Sequence, residues 1–268
     1  MNNFDISYYL SNLNTKVLGK QIFYKASTDS TMDDARNELK KQNSEELHGS
    51  IFLSDEQIKG RGRGQKNWSS KPNSGIYVTF LLKYDDRISN YLYMISSLAI
   101  YDAIVDFINI KTSIKWPNDI MYKNKKVAGI LIENVIDRQV GVSLIGMGIN
   151  VRNSDLLPDE YRDNSTDLEK ILNSNRNNIS SIDNKEIFLS SLSTNFEKRY
   201  YQSISNTVGL YDNWRDLVST IGKKVIAHLD NASVHGKVID ISEHGVLILE
   251  KENGEHIEVM AASIEQIN

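Results

Sequence analysis

Residues 60–68 read Gly60-Arg61-Gly62-Arg63-Gly64-Gln65-Lys66-Asn67-Trp68. The three alternating glycines let the backbone take positive φ and approach a ligand closely. Arg61, Arg63 and Lys66 put three positive charges on one short segment. No apolar side chain occurs from Gly60 to Asn67, and Trp68 then closes the segment as a large anchor. Fixing such a loop costs about 1–2 kcal/mol per residue. Nothing in its own sequence offsets that cost, so the expectation is a loop that orders around an anion. A solvated glycine-rich turn is the plain alternative. Glycine-arginine segments also occur in single-strand nucleic-acid binders, where they form longer repeats. The loop alone does not decide.

Upstream of the loop, 21–26 (QIFYKA) and 50–55 (SIFLSD) read as strands, preceded by a short helix within 5–18. Between the strands runs Ser27-Thr28-Asp29-Ser30-Thr31-Met32-Asp33-Asp34-Ala35. Ser30 or Thr31 suits a helix N-cap, and Asp33 and Asp34 suit its first turn. Capping accounts for this stretch. A strand end that opens a helix is also a place where hydroxyls reach a ligand.

Downstream, 75–83 (GIYVTFLLK) is a strand rich in β-branched and aromatic residues. In 90–108, Leu92, Ile95, Leu98, Ala99, Ala103 and Phe107 recur at helical spacing and predict a long, largely buried helix. A short strand at 113–116 ends at Pro117-Asn118-Asp119. Segments 120–122 and 127–134 read as a hairpin, and 140–151 (VGVSLIGMGINV) as a further strand. The polar run 173–184 (NSNRNNISSIDN) reads as a connector. Helices are expected at 186–204 and 211–218. From Gly222 the pattern changes to KKVIAHL, GKVIDIS, GVLILE and HIEVMA, separated by turn signals. The fold class is α+β: a mixed β-sheet with packed helices over 1–219, then a small β-barrel over 220–268.

Composition sets limits. With 31 basic and 35 acidic residues the net charge is −4, whereas a general nucleic-acid binder carries a basic excess. With Cys 0 there is no disulfide, thiolate zinc site or cysteine nucleophile, which fits a reducing cytoplasm. No apolar run approaches the ~20 residues of a membrane span. Of the five histidines, His228, His235, His244 and His256 lie in the tail at irregular spacing. They read as surface or turn residues, and no residue is assigned as a metal ligand.

Three further motifs follow the loop. Lys115-Trp116-Pro117-Asn118-Asp119 places polar groups around a fixed bend, because the residue before proline is held extended. Lys126-Val127-Ala128-Gly129-Ile130-Leu131 starts a strand with a lysine beside two small residues. Gly146-Met147-Gly148-Ile149-Asn150 ends another. Singly these are solvated lysines, strand bulges and a turn aspartate. Together and in this order they resemble the biotin protein ligases, the biotin–[acetyl-CoA-carboxylase] ligases, from about Ser27 to Asn150, with a weaker match in the C-terminal barrel.

The resemblance implies a catalytic domain of the class II synthetase-like type and an SH3-like C-terminal barrel. It implies that ATP activates biotin to biotinyl-5'-AMP with release of pyrophosphate, and that biotin then passes to a lysine of a biotin carboxyl carrier protein. Ser30, Thr31 and Gln57 match residues that hold the ureido ring. Gly60, Arg61 and Arg63 match the loop that closes over carboxylate and α-phosphate. Trp68 matches the residue that folds over the ligand, and Tyr77 falls where the family lines the biotin pocket. Lys126 matches the lysine bridging carboxylate and phosphate. Gly129 and Leu131 match the strand under the biotin tail. Lys66, Lys115, Asn118 and Asn150 fall on the ATP side, and Asp119 is placed to handle the acceptor lysine. Arg61, Arg63, Lys126 and Asp119 thus form the implied catalytic set, with Mg²⁺ as helper.

The chain departs from the family pattern in three places. Gly64-Gln65 replaces the usual arginine-glycine, Met32 stands where many members have asparagine, and Ala261-Ala262 replaces a glycine-glutamate. Only about 25 residues precede the first motif strand, too few for a winged-helix domain, so neither a repressor role nor a nucleic-acid partner is expected. A homodimer could form on an edge of the strand pair 127–151. The nearest rival is lipoate–protein ligase, against which the loop and KWPND speak. A non-catalytic ligand-binding protein on the same fold is a second rival, and single-strand nucleic-acid binding a third.

Overall fold

A computed structural model describes residues 4–175, 184–229, 232–260 and 263–266. The chain begins with α1 (Ile6–Asn12), β1 (Ile22–Lys25), α2 (Thr31–Leu39), α3 (Ser44–Leu47) and β2 (Ile51–Ser54). After the loop come β3 (Gly75–Lys83), α4 (Asp86–Ser89), α5 (Leu92–Ile108), β4 (Ser113–Lys115) and β5 (Asp119–Tyr122). Next are β6 (Lys125–Asp137), β7 (Val140–Asn150), α6 (Asp159–Arg162), α7 (Leu168–Ser174), α8 (Lys185–Ser205) and α9 (Thr207–Arg215). The tail holds β8 (Lys224–His228), β9 (Ser233–Ile241), β10 (Leu247–Glu250), β11 (His256–Val259) and β12 (Ser263–Gln266).

The first seven strands make one sheet in the order β1-β2-β3-β7-β6-β5-β4. β1 and β2 pair in parallel, and the other neighbours are antiparallel. Alternation along each strand sends side chains to opposite faces. Ile76, Val78, Phe80 and Leu82 of β3 join Ile145, Met147 and Ile149 of β7 in the main core with α5 and α8. Leu81, Val142 and Leu144 pack the other way, against Met32, Ala35 and Leu39 of α2 and Leu47 of α3. Both faces are thus covered. α5 is buried on most of its circumference, and Ser96 and Ser97 return their hydroxyls to the carbonyls of Leu92 and Tyr93.

The N-terminal segment is tied to α8 by a buried carboxylate. Glu197 accepts the backbone N–H groups of Lys16, Val17 and Leu18 at 2.6, 2.7 and 2.9 Å. Removing the charge weakens three charge-assisted bonds at once. Glu197→Gln is expected to lower stability by roughly 1–3 kcal/mol, read as a shift of the urea unfolding midpoint.

The tail is a five-stranded antiparallel sheet in the order β11-β10-β9-β8-β12. Four strands were expected. The fifth, β12, carries a single apolar residue, Ile264, and its pairing with β8 is a tertiary fact that local pattern does not encode. Trp116 joins the two sheets: its indole N–H donates to the Gly245 carbonyl at 2.9 Å, and its backbone N–H to Thr220 Oγ1 at 3.0 Å.

The strand pair expected to offer a dimer edge lies inside the sheet, flanked by β3 and β5. β5 covers β6 only from Lys125 to Gly129. The outer side of β6 beyond Ile130 has no strand neighbour among the described residues, and Ile136 there is 84% exposed. Residues 176–183 of the expected connector lie outside the described residues, as do Ala261 and Ala262. None of the described helices is long and apolar enough to cross a membrane.

Candidate active site

A cavity of about 570 Å³ opens on the α2 face of the main sheet. Its floor follows from strand parity. Gly129 and Leu131 of β6, with Gly146, Gly148 and Asn150 of β7, all line it, and Gly129 pairs directly with Gly148. Two facing glycines leave a flat patch of bare backbone, and the Trp68 ring lies on it. A Cβ on Gly148 would sit 2.4 Å from Trp68 Cε2, and one on Gly129 2.9 Å from Trp68 Cζ3. The absence of side chains at these two positions is what makes room for the indole. Trp68 Nε1 is buried there with no hydrogen-bond partner among the described residues.

One wall is the start of α2. Gln57 Oε1 accepts both the backbone N–H and the hydroxyl of Thr31, at 3.0 and 3.1 Å. Thr31 Oγ1 also lies 2.8 Å from Thr79 Oγ1. Ser30 is the buried N-cap, but its side chain makes no capping bond. Its hydroxyl is therefore not spent on the helix. Met32 lines the cavity too, its sulfur 3.1 Å from where a Gly146 Cβ would be. The departure at this position places an apolar thioether against a strand glycine, within the second core cluster.

The roof is residues 60–68. The segment closes as a small hairpin. Trp68 N–H donates to the Gly60 carbonyl at 2.9 Å, Gly62 N–H to the Lys66 carbonyl at 2.7 Å, and Arg61 bridges to Asn67. A single 3₁₀ turn, Arg63–Gln65, closes the tip, with Gly64 left-handed at φ 60. The Gly64-Gln65 departure thus puts glycine where positive φ favours it. Backbone pairing and the seated indole supply the order that side-chain packing could not.

The opposite end holds the KWPND bend and the lysine strand. Lys126 Nζ sits 2.6 Å from Asp119 Oδ1 and 5.1 Å from the Trp68 ring centroid. The pairing of β5 with β6 brings Asp119 opposite Gly129, three residues along β6 from Lys126. Asn118 Nδ2 donates to the Ile130 carbonyl at 2.8 Å, so this amide pins the bend to β6. Asn150 Nδ2 donates to the Thr166 carbonyl at 3.1 Å. Lys115 lines the same end.

The cavity therefore gathers Ser30, Thr31, Gln57, Arg61, Arg63, Lys66, Trp68, Lys115, Asn118, Asp119, Lys126, Gly129, Leu131 and Asn150. Gly60 and Tyr77 are not on its wall. Gly60 packs behind it, against the Trp68 carbonyl. Tyr77 is buried with its hydroxyl donating to the Lys71 carbonyl at 3.4 Å, and burial pushes its phenol above the ordinary value. Parity put Tyr77 on the correct face of β3, but its ring turns toward residues 70–71. Five cations on the wall (Arg61, Arg63, Lys66, Lys115, Lys126) face one carboxylate, Asp119. Such a wall suits an anionic ligand.

Residues that sequence reasoning missed close the far end. Leu157, Tyr161 and Ser165 come from the segment after β7, and His228, Leu229 and Ile264 from the C-terminal sheet. That segment is stitched to β6, since Lys126 N–H donates to the Asn164 carbonyl at 2.8 Å and Thr166 N–H to the Lys126 carbonyl at 2.9 Å. The C-terminal sheet thus reaches the cavity. No motif marks these positions.

Comparison with known proteins agrees with this geometry. Residues 24–150 match the Biotin/lipoate A/B protein ligase family, and residues 220–265 match the Biotin protein ligase C terminal domain. The bifunctional ligase/repressor BirA of Bacillus spizizenii is 32% identical over 247 residues, covering 90% of this chain and 73% of that protein. The biotin–[acetyl-CoA-carboxylase] ligase of Paracoccus denitrificans is 30% identical over 221 residues, 79% of this chain and 88% of that one. Among solved structures, biotin protein ligase from Aquifex aeolicus in complex with biotin and ATP superimposes with TM-score 0.75 at 26% identity, covering 92% of this chain and 100% of that one. The family match and these two relatives, covered over most of their length, place this chain in the biotin/lipoate A/B protein ligase family.

Proposed function

We propose that this protein is a biotin protein ligase, which activates biotin with ATP and transfers it to a lysine of a biotin carboxyl carrier protein. The observation that carries the reading is the wall of five cations around a glycine floor. Biotin's carboxylate is ionised at neutral pH, so its attack on the α-phosphate needs no general base. The barrier is the approach of one anion to another. Fixed cations at the developing charge answer it, each contributing roughly 3–4 kcal/mol where such groups have been removed. Arg61, Arg63 and Lys126 take that role. The carboxylate oxygen bonds to the α-phosphorus as pyrophosphate leaves.

The ureido ring is assigned to Ser30, Thr31 and Gln57, whose hydroxyls and amide face the cavity from the α2 end. The biotin tail is assigned to the floor, at Gly129 and Leu131. The nucleotide is assigned to Lys66, Lys115, Asn118 and Asn150, with Trp68 covering the ligand. In this assignment Trp68 must lift off the Gly129–Gly148 patch. Its unpartnered Nε1–H favours that move, since a buried donor without a partner costs about 1–3 kcal/mol. ATP is taken as its magnesium complex, the ion entering with the triphosphate. Among the described residues no cluster of three His, Cys, Asp or Glu side chains forms a cage for it.

In the second step the acceptor amine attacks the acyl carbon of the adenylate and AMP leaves. A free lysine arrives protonated, with pKa about 10.4, and Asp119 accepts or orients that proton. The mixed anhydride must be kept from water until then. Arg63→Gly is expected to leak biotinyl-adenylate, seen as free adenylate in the filtrate of a spun reaction. Retention equal to the wild type would sink that role for the loop.

Residues 1–219 form the catalytic unit and 220–268 the C-terminal one in this reading. A cytoplasmic site of action fits the lack of cysteine. Two copies could add sheet to sheet along the outer side of β6 beyond Ile130. The test of the activity is pyrophosphate release from ATP and Mg²⁺ with biotin or lipoate supplied. Biotin-dependent release is expected. Release with lipoate alone would move the chain to the lipoate branch.

A further inference from the structure

Three charged side chains outside the implied catalytic set, Asp33, Arg36 and Glu133, meet Arg61 at the base of the loop. Arg61 Nη1 donates to both carboxylate oxygens of Asp33, at 2.8 and 2.7 Å. Arg61 Nε lies 4.0 Å from Glu133 Oε1. Arg36 closes the array: its Nη1 donates to Asp33 Oδ1 at 3.0 Å, and its Nη2 pairs with Glu133. Asp33 is on the first turn of α2, Arg36 one turn later, and Glu133 on β6. The array therefore ties the loop to two rigid elements. It carries two positive and two negative charges, so it holds Arg61 without adding net charge.

Only part of the guanidinium is used. Nη2 of Arg61 is buried and has no hydrogen-bond partner among the described residues, on a side chain that lines the cavity. A guanidinium is planar with its donors in a fixed fork. The two bonds from Nη1 to Asp33 therefore restrict the plane in which Nη2 lies. The four side chains are each about a third exposed, and pairs of that kind add little to stability. Their organisation suits orientation better than it suits folding energy.

We propose that Asp33 and Glu133, braced by Arg36, are positioning residues that fix the orientation of the Arg61 guanidinium on the cavity wall for the anionic centre of the substrate. This rests on the adenylating function proposed above. The nearest rival is that Asp33 competes with the substrate for Arg61 and acts as a latch. Simple charge counting favours the latch: removing an acid beside a polyanion site should help the polyanion bind. Positioning predicts the opposite for turnover.

The test uses the full chain with Asp33→Asn, Asp33→Glu and Glu133→Gln, followed in two ways. In steady-state pyrophosphate release, Asp33→Asn is expected to lower kcat roughly 10- to 100-fold, the scale of a misplaced catalytic group. KM for biotin should stay within about twofold, and Asp33→Glu should recover most of kcat, which a merely structural loss would not do. Glu133→Gln should cost less, because its contact with Arg61 is longer. In ¹⁵N NMR of the arginine side chains, the Arg61 guanidinium, assigned by its loss in Arg61→Lys, should be restrained in the wild type and averaged in Asp33→Asn. A lower KM for ATP with kcat unchanged or raised would establish the latch and overturn positioning. An Arg61 signal unchanged by Asp33→Asn would overturn it as well. If wild type released no pyrophosphate with biotin, the functional reading would fall, and the NMR result would still decide whether Asp33 holds Arg61.

Discussion

Lys126→Met is expected to lower biotin-dependent pyrophosphate release by about 10²–10³-fold, the range seen when one donor is removed from a site of developing charge. Lys126 stands between the KWPND bend and the indole on the glycine floor. Its ammonium is 2.6 Å from Asp119 and 5.1 Å from the Trp68 ring centroid. Methionine keeps an unbranched apolar stem and removes the ammonium with its charge and donors. The pair is about a quarter exposed, with side-chain values of 29% and 23%, so the change in folding stability should stay within about 1 kcal/mol. The variant should therefore fold and fail. Initial rates at saturating ATP and biotin, beside a thermal melt, check both halves. A rate within fivefold of wild type would remove Lys126 from the reacting centre.

Gly148→Ala should weaken biotin binding roughly 10- to 100-fold, because a biotin tail lying on the floor that Trp68 vacates would meet the added Cβ, an overpacking cost of ~1–3 kcal/mol. The added Cβ would lie 2.4, 2.6 and 2.7 Å from Trp68 Cε2, Cζ2 and Nε1. These are ring atoms, so the whole indole must shift. Trp116 and Trp214 are only 3% and 1% exposed, and they report separately. A red shift of emission that Trp68→Phe abolishes would identify the displaced ring. Gly129→Ala should cost less in binding. Its Cβ meets the tip of Lys126 and one indole carbon, each at 2.9 Å, and a lysine tip can move aside. Unchanged biotin affinity in Gly148→Ala, measured by calorimetry, would mean the ligand does not use this floor.

These two predictions rest on features with different legibility in the sequence. The strand at 75–83 could be read directly, because β-branched and aromatic residues leave little else for that segment. The glycine floor could be read only by parity. Gly129, Gly146 and Gly148 share a face once β6 and β7 are known to pair, and the register is set by the whole sheet. The Arg61–Asp33 contact was not legible. It joins residues 28 positions apart through a hairpin whose bonds are between backbone groups. Asp33 looked like a first-turn acid favoured by the helix end, and it also serves Arg61.

Tyr77 and the far wall mark the limit of motif reasoning. A motif gives the position of a residue along a strand, and parity gives its face. Neither gives the direction in which a long side chain turns, and Tyr77 turns to Lys71. The segment with Leu157, Tyr161 and Ser165 carries no motif because its place is set by backbone pairing with Lys126. His228 looked like a surface residue and is one by exposure, held by Ser233 at 3.0 Å and Glu265 at 3.4 Å. It still stands on the cavity wall, at the end of β8 in a sheet whose β9–β10 turn is tied to Trp116.

The most direct measurement of the central claim is the mass of an apo biotin-carrier domain after incubation with this protein, biotin, ATP and Mg²⁺. The account predicts one added biotin at a single carrier lysine, present only when ATP and biotin are both supplied and lost in Lys126→Met. A carrier that stays unmodified while the protein binds biotin tightly would contradict it, and would leave a ligand-binding protein on a ligase fold.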